Sequence, residues 1–144
     1  MPDGQVPDCL AMVLCDAIHK DPASGKFTLL GTFNRVVIPE VPAEIGISLY
    51  FVLTNGQGKL PFALKITRAG ASRDSADDQK PIGVLAGEVT LTDPLAVSEI
   101  AVGLRVTIPA AGVYQCELEA GGETLMERRL VVEALPQSKR PKQE

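Results

Sequence analysis

The stretch IAVGLRVTI at residues 100–108 places an apolar side chain with at least three carbons at every second position. Between those positions lie Ala101, Gly103, Arg105 and Thr107, which are small or polar. Successive side chains of a β-strand point to opposite faces, so a period of two is typical of a strand with one face on a core. The stretch therefore predicts a strand and sets the pattern to look for elsewhere.

The same alternation recurs on both sides of this stretch. Residues 47–54 and 60–68 alternate, and the turn Asn55-Gly56-Gln57-Gly58 between them predicts a β-hairpin. No stretch of helix length shows a period of 3.6 residues. We count about eight strands, at 9–18, 27–38, 47–54, 60–68, 82–91, 100–108, 114–118 and 124–133. This number and spacing predict an all-β fold, a two-sheet antiparallel β-sandwich.

The domain organisation follows from where this alternation begins and ends. Residues 1–8 contain two prolines and a glycine, and we expect a loose N-terminal lead there. Residues 9–135 form the sandwich. Residues 136–144, with Lys139, Arg140 and Lys142, lack apolar periodicity and predict a disordered basic tail. A chain of 144 residues is typical of one domain, and its lack of Trp predicts an aliphatic core.

Charge and cysteine content indicate the cellular location and exclude some classes of binding partner. A formal net charge of -4 disfavours nucleic acid and anionic membrane surfaces as partners. No run of 18 apolar residues is present that would span a bilayer. The N-terminus lacks the basic residues that begin a secretory signal, and Cys9, Cys15 and Cys116 make an odd number of thiols. We therefore expect a cytoplasmic protein with reduced cysteines.

His19 is the one histidine, and it is the first candidate for catalysis. With Asp16 or Asp21, and Cys15 or Ser24 as nucleophile, it supplies the residue types of a catalytic triad. Triads are defined by geometry in space, whereas these residues are only neighbours in sequence. An exposed histidine at the end of a strand is the favoured interpretation.

Other polar motifs also have plainer interpretations. Ser24-Gly25-Lys26 resembles the end of a phosphate-binding loop but lacks the rest of that motif, so it is interpreted as a turn. Asp74, Asp77 and Asp78 lie in a polar loop that offers oxygen ligands for Ca²⁺, without the EF-hand spacing. Cys9 and Cys15 lie about 20 Å apart along an extended strand, which excludes a bond between them. We expect no metal and no cofactor.

Two adjoining segments, 9–18 and 27–38, are apolar on both faces, and the short turn between them predicts a hairpin. A sandwich strand needs only one apolar face, and a large exposed apolar patch usually binds something. We expect Leu30, Val36 and Ile38 on the outer face as the interface of a homodimer or of a protein partner. The alternative is that other parts of the same chain cover that face.

Three segments resemble a family of small bacterial proteins of unknown function. They read LCDAIHKDPASGKFTLLGTFNRVVIP at 14–39, LAGEVTLTDPLAV at 85–97 and GVYQCELEAGGETLMERRLVV at 112–132. The resemblance covers most of residues 9–133 and implies a cytosolic, immunoglobulin-like β fold, with no activity or site residues to transfer. Tyr114, two residues before Cys116, also resembles the tyrosine corner of immunoglobulin domains, although the chain has no Trp.

These observations favour a non-catalytic β-sandwich that acts through protein–protein contact or self-association. A small-ligand or carbohydrate-binding module is the first alternative, and the scarcity of aromatic residues weighs against stacking on sugars. An enzyme with an unrecognised site is the second alternative. The shape of the largest cleft separates these classes, because ligands and substrates favour deep pockets with converging polar groups.

Overall fold

The computed structural model describes residues 5–69 and 80–136, and no part of them is helical. Nine strands follow one another in these two ranges. Their bounds are β1 Asp8–Lys20, β2 Phe27–Thr32, β3 Arg35–Ile38, β4 Ala43–Thr54, β5 Gly58–Arg68, β6 Gly83–Leu91, β7 Ser98–Ile108, β8 Gly112–Ala120 and β9 Glu123–Ala134. The all-β prediction is confirmed.

The strands form two sheets. The four-stranded sheet has the order β2-β1-β4-β7, and the five-stranded sheet has the order β3-β9-β8-β5-β6. Neighbouring strands are antiparallel except β3 and β9, which are parallel, so the expectation of a purely antiparallel sandwich is wrong. The order 2-1-4-7 also differs from the A-B-E-D order of an immunoglobulin sheet, so that finer expectation is not confirmed.

The core lies between the sheets and is built from the predicted alternation. On β4, the four residues of the apolar face are almost fully buried, namely Ile47, Leu49, Phe51 and Leu53. Burial of each such side chain stabilises the fold by about 1.5–3 kcal/mol. Tyr114 of β8 is also buried, and its hydroxyl donates a hydrogen bond to the carbonyl of Ala110 at 2.6 Å, as a tyrosine corner does.

The segment 27–38 does not form one strand of a hairpin. β2 pairs with β1, as predicted, but β3 leaves that sheet and pairs with β9. The crossover is fixed from both sides, because the Phe33 amide donates to the Leu14 carbonyl at 3.0 Å and the Asn34 carbonyl accepts from the Val131 amide at 2.9 Å. The sequence FTLLGTFNRVVI at 27–38 contains no proline, and the expectation of a single strand therefore missed this change of sheet.

The predicted hairpin between 47–54 and 60–68 is also wrong. β4 belongs to the four-stranded sheet and β5 to the five-stranded sheet, so residues 55–57 carry the chain from one sheet to the other. Asn55 has a φ of 60°, and Gly56 is buried against Pro7 and Leu91. Asn and Gly favour a tight hairpin turn, but here they form a crossover. A hairpin turn and this crossover both need backbone in the left-handed region, which these residues adopt readily.

Part of the predicted loose lead is held in place. Gln5 pairs with Gln57 through two backbone hydrogen bonds of 2.7 and 3.1 Å. Pro7 is buried, and the Asp8 carboxylate accepts a hydrogen bond from the Asn55 side chain at 2.9 Å. Residues 5–8 therefore cover the β4–β5 crossover.

The β1–β2 hairpin curves over the outer face of the four-stranded sheet. β1 pairs with β4 only as far as Cys15, and beyond that point it pairs with β2. The rings of Phe27 and Tyr50 nevertheless lie 5.5 Å apart, which a flat sheet would not allow. Gly31, with a φ of 68°, lies under the Asp16 carboxylate where the hairpin bends, and a side chain there would overlap that carboxylate.

Candidate functional site

The candidate catalytic residues around His19 are not assembled into a triad. The Asp21 carboxylate accepts hydrogen bonds from the Ser24 hydroxyl at 2.5 Å and the Ser24 amide at 2.9 Å, and these bonds lower the pKa of Asp21. Burial raises the pKa of the Cys15 thiol, which disfavours the reactive thiolate. His19 is exposed and lies opposite Thr28 in the hairpin.

Ser24-Gly25-Lys26 is a turn, as predicted. The Gly25 amide donates to the Asp21 carbonyl at 2.8 Å, and the Asp21 amide donates to the Lys26 carbonyl at 2.9 Å. Gly25 has a φ of 73°, which favours glycine at this position. These bonds close the loop between β1 and β2.

Over residues 5–69 and 80–136, no group of three His, Cys, Asp or Glu side chains is close enough to hold a metal ion. The polar loop with Asp74, Asp77 and Asp78, which was considered as a Ca²⁺ site, lies outside the described residues, as does the basic tail with Lys139, Arg140 and Lys142. In the same described part of the chain, no helix is long and apolar enough to cross a membrane.

All three cysteines are free thiols. Cys15 and Cys116 are buried, and burial raises the pKa of Cys116 to about 12. Cys9 is half-buried, and its sulfur lies 3.9 Å from that of Met126. The thiols therefore act as small apolar side chains in the fold.

The three residues of the predicted interface do not share one face. Leu30 on β2 is 52% exposed, whereas Ile38 on β3 is buried in the core. Val36, also on β3, is partly buried and packs against the core. The expectation of one outer apolar face is wrong because the crossover at Phe33 and Asn34 places β3 in the other sheet.

The structure reveals instead a hollow surface on the outer face of the four-stranded sheet, which we call the sheet groove. Two open hollows of about 260 and 330 Å³ adjoin there and share Ser48 and Gly103. The curved hairpin borders the first hollow. The floor consists of small residues of β4 and β7, namely Gly46, Ser48, Ala101 and Gly103.

The two glycines of the floor are not required by the fold. A Cβ atom built on Gly46 would meet nothing within 4 Å, and one built on Gly103 would meet only the Ile47 carbonyl at 4.0 Å. Neither glycine has a positive φ. Glycine weakens the interior of a strand, and it often marks a place where a ligand or another backbone approaches closely. The space above them is open from outside.

The sides of the groove carry both charges and an aromatic pair. The Lys20 ammonium lies 5.4 Å from the centre of the Phe27 ring and borders the first hollow. Asp16 borders the second hollow. Tyr50 donates a hydrogen bond to Glu99, and burial together with this bond raises the pKa of Tyr50 to about 12. The phenol therefore stays protonated at neutral pH.

A second cavity, the corner pocket, lies where an edge of each sheet meets the crossover. It has a volume of about 410 Å³. Its lining comes from β1, the β2–β3 crossover and β9, namely Met12, Val13, Leu14, Thr32, Phe33, Asn34, Arg128 and Arg129. The Arg128 Nε atom donates to the Met12 carbonyl at 3.0 Å, so this guanidinium also covers an open strand edge.

Neither cavity follows from sequence alone. The sequence contains one indication of the groove: Gly103 lies on the outer face of the strand predicted at 100–108, which has the clearest alternation. Gly46 lies just before a predicted strand and gave no signal. The corner pocket depends on residues that are far apart in the chain, and only the crossover brings them together.

The chain matches the model of DUF6941, a family of unknown function, over residues 10–133. The match covers most of the chain, so the protein belongs to this family. A comparison with curated proteins finds no match.

Proposed function

We propose that this member of the DUF6941 family is a non-catalytic, cytosolic domain that binds an extended segment of a partner protein in the sheet groove. The observation that carries this proposal is the pair of strand glycines, Gly46 and Gly103, over open space. A side chain at either position would stabilise a strand without meeting any neighbour. A partner backbone that approaches the sheet closely explains why glycine stands there.

The charges of the groove favour a polypeptide as the occupant. Among the described residues, no carboxylate forms an ion pair with Lys20 and no cation forms one with Asp16. A nucleic acid would be repelled by Asp16, whereas a peptide supplies side chains of both signs. The lining on β7 runs from Ala101 to Arg105, a length of roughly 13 Å, which accommodates about four extended residues.

The shape of the groove also favours a peptide over the alternative classes. The hollows are open along the sheet, whereas ligand and substrate pockets bury most of a small molecule. A sugar would stack on an aromatic face, but Lys20 already lies over the Phe27 ring. The cytosolic location is supported by three free thiols, two of which are buried.

Selection from a displayed library of random peptides tests this function. We expect the immobilised protein to enrich peptides that carry an acidic residue for Lys20 and small residues over the glycines. Replacing Gly103→Val or Gly46→Val fills the groove, so binding of the enriched peptides should fall at least about tenfold. Ala86→Val is the matched control, because Ala86 is exposed on β6 of the other sheet.

Three outcomes would contradict the proposal. The first is that no peptide is enriched, and the second is that enriched peptides bind Gly103→Val as well as the wild type. The third is a second copy of this chain as the occupant, which light scattering would reveal as a dimer that Gly103→Val dissociates. Together, these results distinguish binding of a partner segment from other functions of the same sheet face.

A further inference from the structure

Two consecutive arginines of β9, Arg128 and Arg129, line the corner pocket, and backbone carbonyls fix the guanidinium of Arg128. Arg128 Nε donates to the Met12 carbonyl and Arg128 Nη1 donates to the Glu127 carbonyl, both at 3.0 Å. The first bond connects β9 with β1, the second lies within β9, and together they orient the plane of the guanidinium. Its Nη2 donors are not used in either bond, so they remain for another acceptor.

The pocket is cationic because no acidic side chain lines it. Within residues 5–69 and 80–136, neither Arg128 nor Arg129 forms an ion pair with a carboxylate. The nearest acidic neighbour in sequence, Glu127, accepts a hydrogen bond from Gln115 instead. Thr32 and Asn34, which are polar and uncharged, also line the pocket. An arginine fork of this kind matches the paired oxygens of a carboxylate or a phosphate.

The remaining lining is apolar. Phe33 is partly buried against the core, and Met12 and Leu14 are almost fully buried. A volume of about 410 Å³ lies within the range of small-molecule sites. A ligand that fits this pocket therefore has an anionic head and a short apolar body.

We propose that the corner pocket binds a small organic anion. Its carboxylate or phosphate group binds Arg129 and the outer donors of Arg128, and its apolar body packs against Phe33. This site lies apart from the sheet groove, with which it shares no lining residue, so it does not depend on the proposed peptide binding.

Titration with two probes tests the proposal on the full chain. Phenyl phosphate and benzoate share a ring but differ in the head group, and inorganic phosphate has no apolar body. We expect both ring compounds to shift the NMR signals of the Phe33 and Asn34 amides and of Arg129 Nε in a saturable way. Whichever ring compound binds more tightly identifies the preferred head group, phosphate or carboxylate. Inorganic phosphate should bind at least several-fold more weakly than phenyl phosphate.

Variants then assign the contacts. Arg129→Gln removes an exposed charge and should weaken binding about tenfold, as expected for one charge-assisted hydrogen bond. Thr32→Val keeps the side-chain shape and should weaken binding by a smaller factor. Arg105→Gln, which removes an arginine that pairs with Glu44 outside the pocket, should leave binding unchanged. No saturable shift with either ring compound, or equal binding by Arg129→Gln and the wild type, would overturn the proposal.

Discussion

Gly87 and Gly103 occupy similar places in sequence, each in the interior of a strand, but their surroundings differ. A Cβ atom on Gly87 of β6 would lie 2.9 Å from two atoms of the Phe62 ring. A Cβ atom on Gly103 of β7 would meet only a carbonyl oxygen at 4.0 Å. A side chain at the first position would therefore displace the Phe62 ring, whereas the second position has room for a side chain. We attribute the glycine at the second position to the partner segment proposed above.

The same contrast separates a second pair of strand glycines. Gly83 of β6 lies against the Val106 side chain of the other sheet, so a side chain would overlap it. Gly46 of β4 faces open space. Gly83 and Gly87 therefore both serve contacts inside the protein. Gly46 and Gly103 form the floor of the groove.

The largest effect is expected where a side chain has no room. Gly83→Val forces new atoms into the contact with Val106 and should lower the free energy of unfolding by about 1–3 kcal/mol. Chemical denaturation of the variant beside the wild type measures this loss. Ala86→Val on the same strand is the control and should change stability by less than about 0.5 kcal/mol. Equal stability of Gly83→Val and wild type would contradict the packing at this position.

The burial of Cys116 on β8 predicts that the stability of the fold decreases at alkaline pH. Cys116 has its pKa raised from 9.0 to about 12 by burial. The unfolded chain therefore releases this proton at lower pH than the folded chain does, and stability falls as the pH rises above 9. Near pH 10 the loss from this thiol should be about 1.4 kcal/mol. Denaturation at pH 8 and pH 10 should show a smaller drop in Cys116→Ala than in the wild type, and identical drops would refute the assignment.

A side chain added in the groove should change the free energy of unfolding in the opposite direction from a side chain added in the core. Gly103→Val and Gly46→Val replace a flexible residue by one that favours strands, and each should raise the free energy of unfolding by about 0.5–1 kcal/mol. The melting temperature and the denaturant midpoint should both rise. Destabilisation by either variant would mean that the fold itself needs these glycines, and the comparison would fail.

The smallest effect concerns the charged end of the groove. Arg105 Nε lies 2.6 Å from a carboxylate oxygen of Glu44, and both side chains are mostly exposed. Such surface pairs stabilise a protein by less than about 1 kcal/mol. Arg105→Gln should therefore leave the denaturant midpoint nearly unchanged. A larger loss would show that this pair holds β4 and β7 together.

Local pattern was enough to predict which residues of β4, β7 and β8 face the core. Residues such as Leu49, Val106 and Leu118 lie on buried faces because each strand alternates, and alternation is written in adjacent positions. The bond from Tyr114 to the Ala110 carbonyl also spans only four residues and is a local feature.

Strand partners could not be predicted in the same way. Phe33 and Asn34 lie in the interior of the segment predicted as one strand, 27–38, yet their backbone bonds connect Leu14 in one sheet with Val131 in the other. Asn55-Gly56 is compatible with a hairpin and with a crossover, and the choice depends on contacts with Pro7, which is distant in sequence. Both cavities depend on these crossovers and on the bend of the hairpin, so the sequence pattern alone did not reveal them.

The most direct test of the groove is to map where a selected peptide binds on the ¹⁵N-labelled protein. The account predicts that the largest shifts of amide signals lie at Gly46, Ser48, Ala101 and Gly103, and that Gly103→Val keeps the folded spectrum but loses these shifts. Shifts confined to the five-stranded sheet or to the corner pocket would contradict it. So would unchanged peptide binding by a correctly folded Gly103→Val variant.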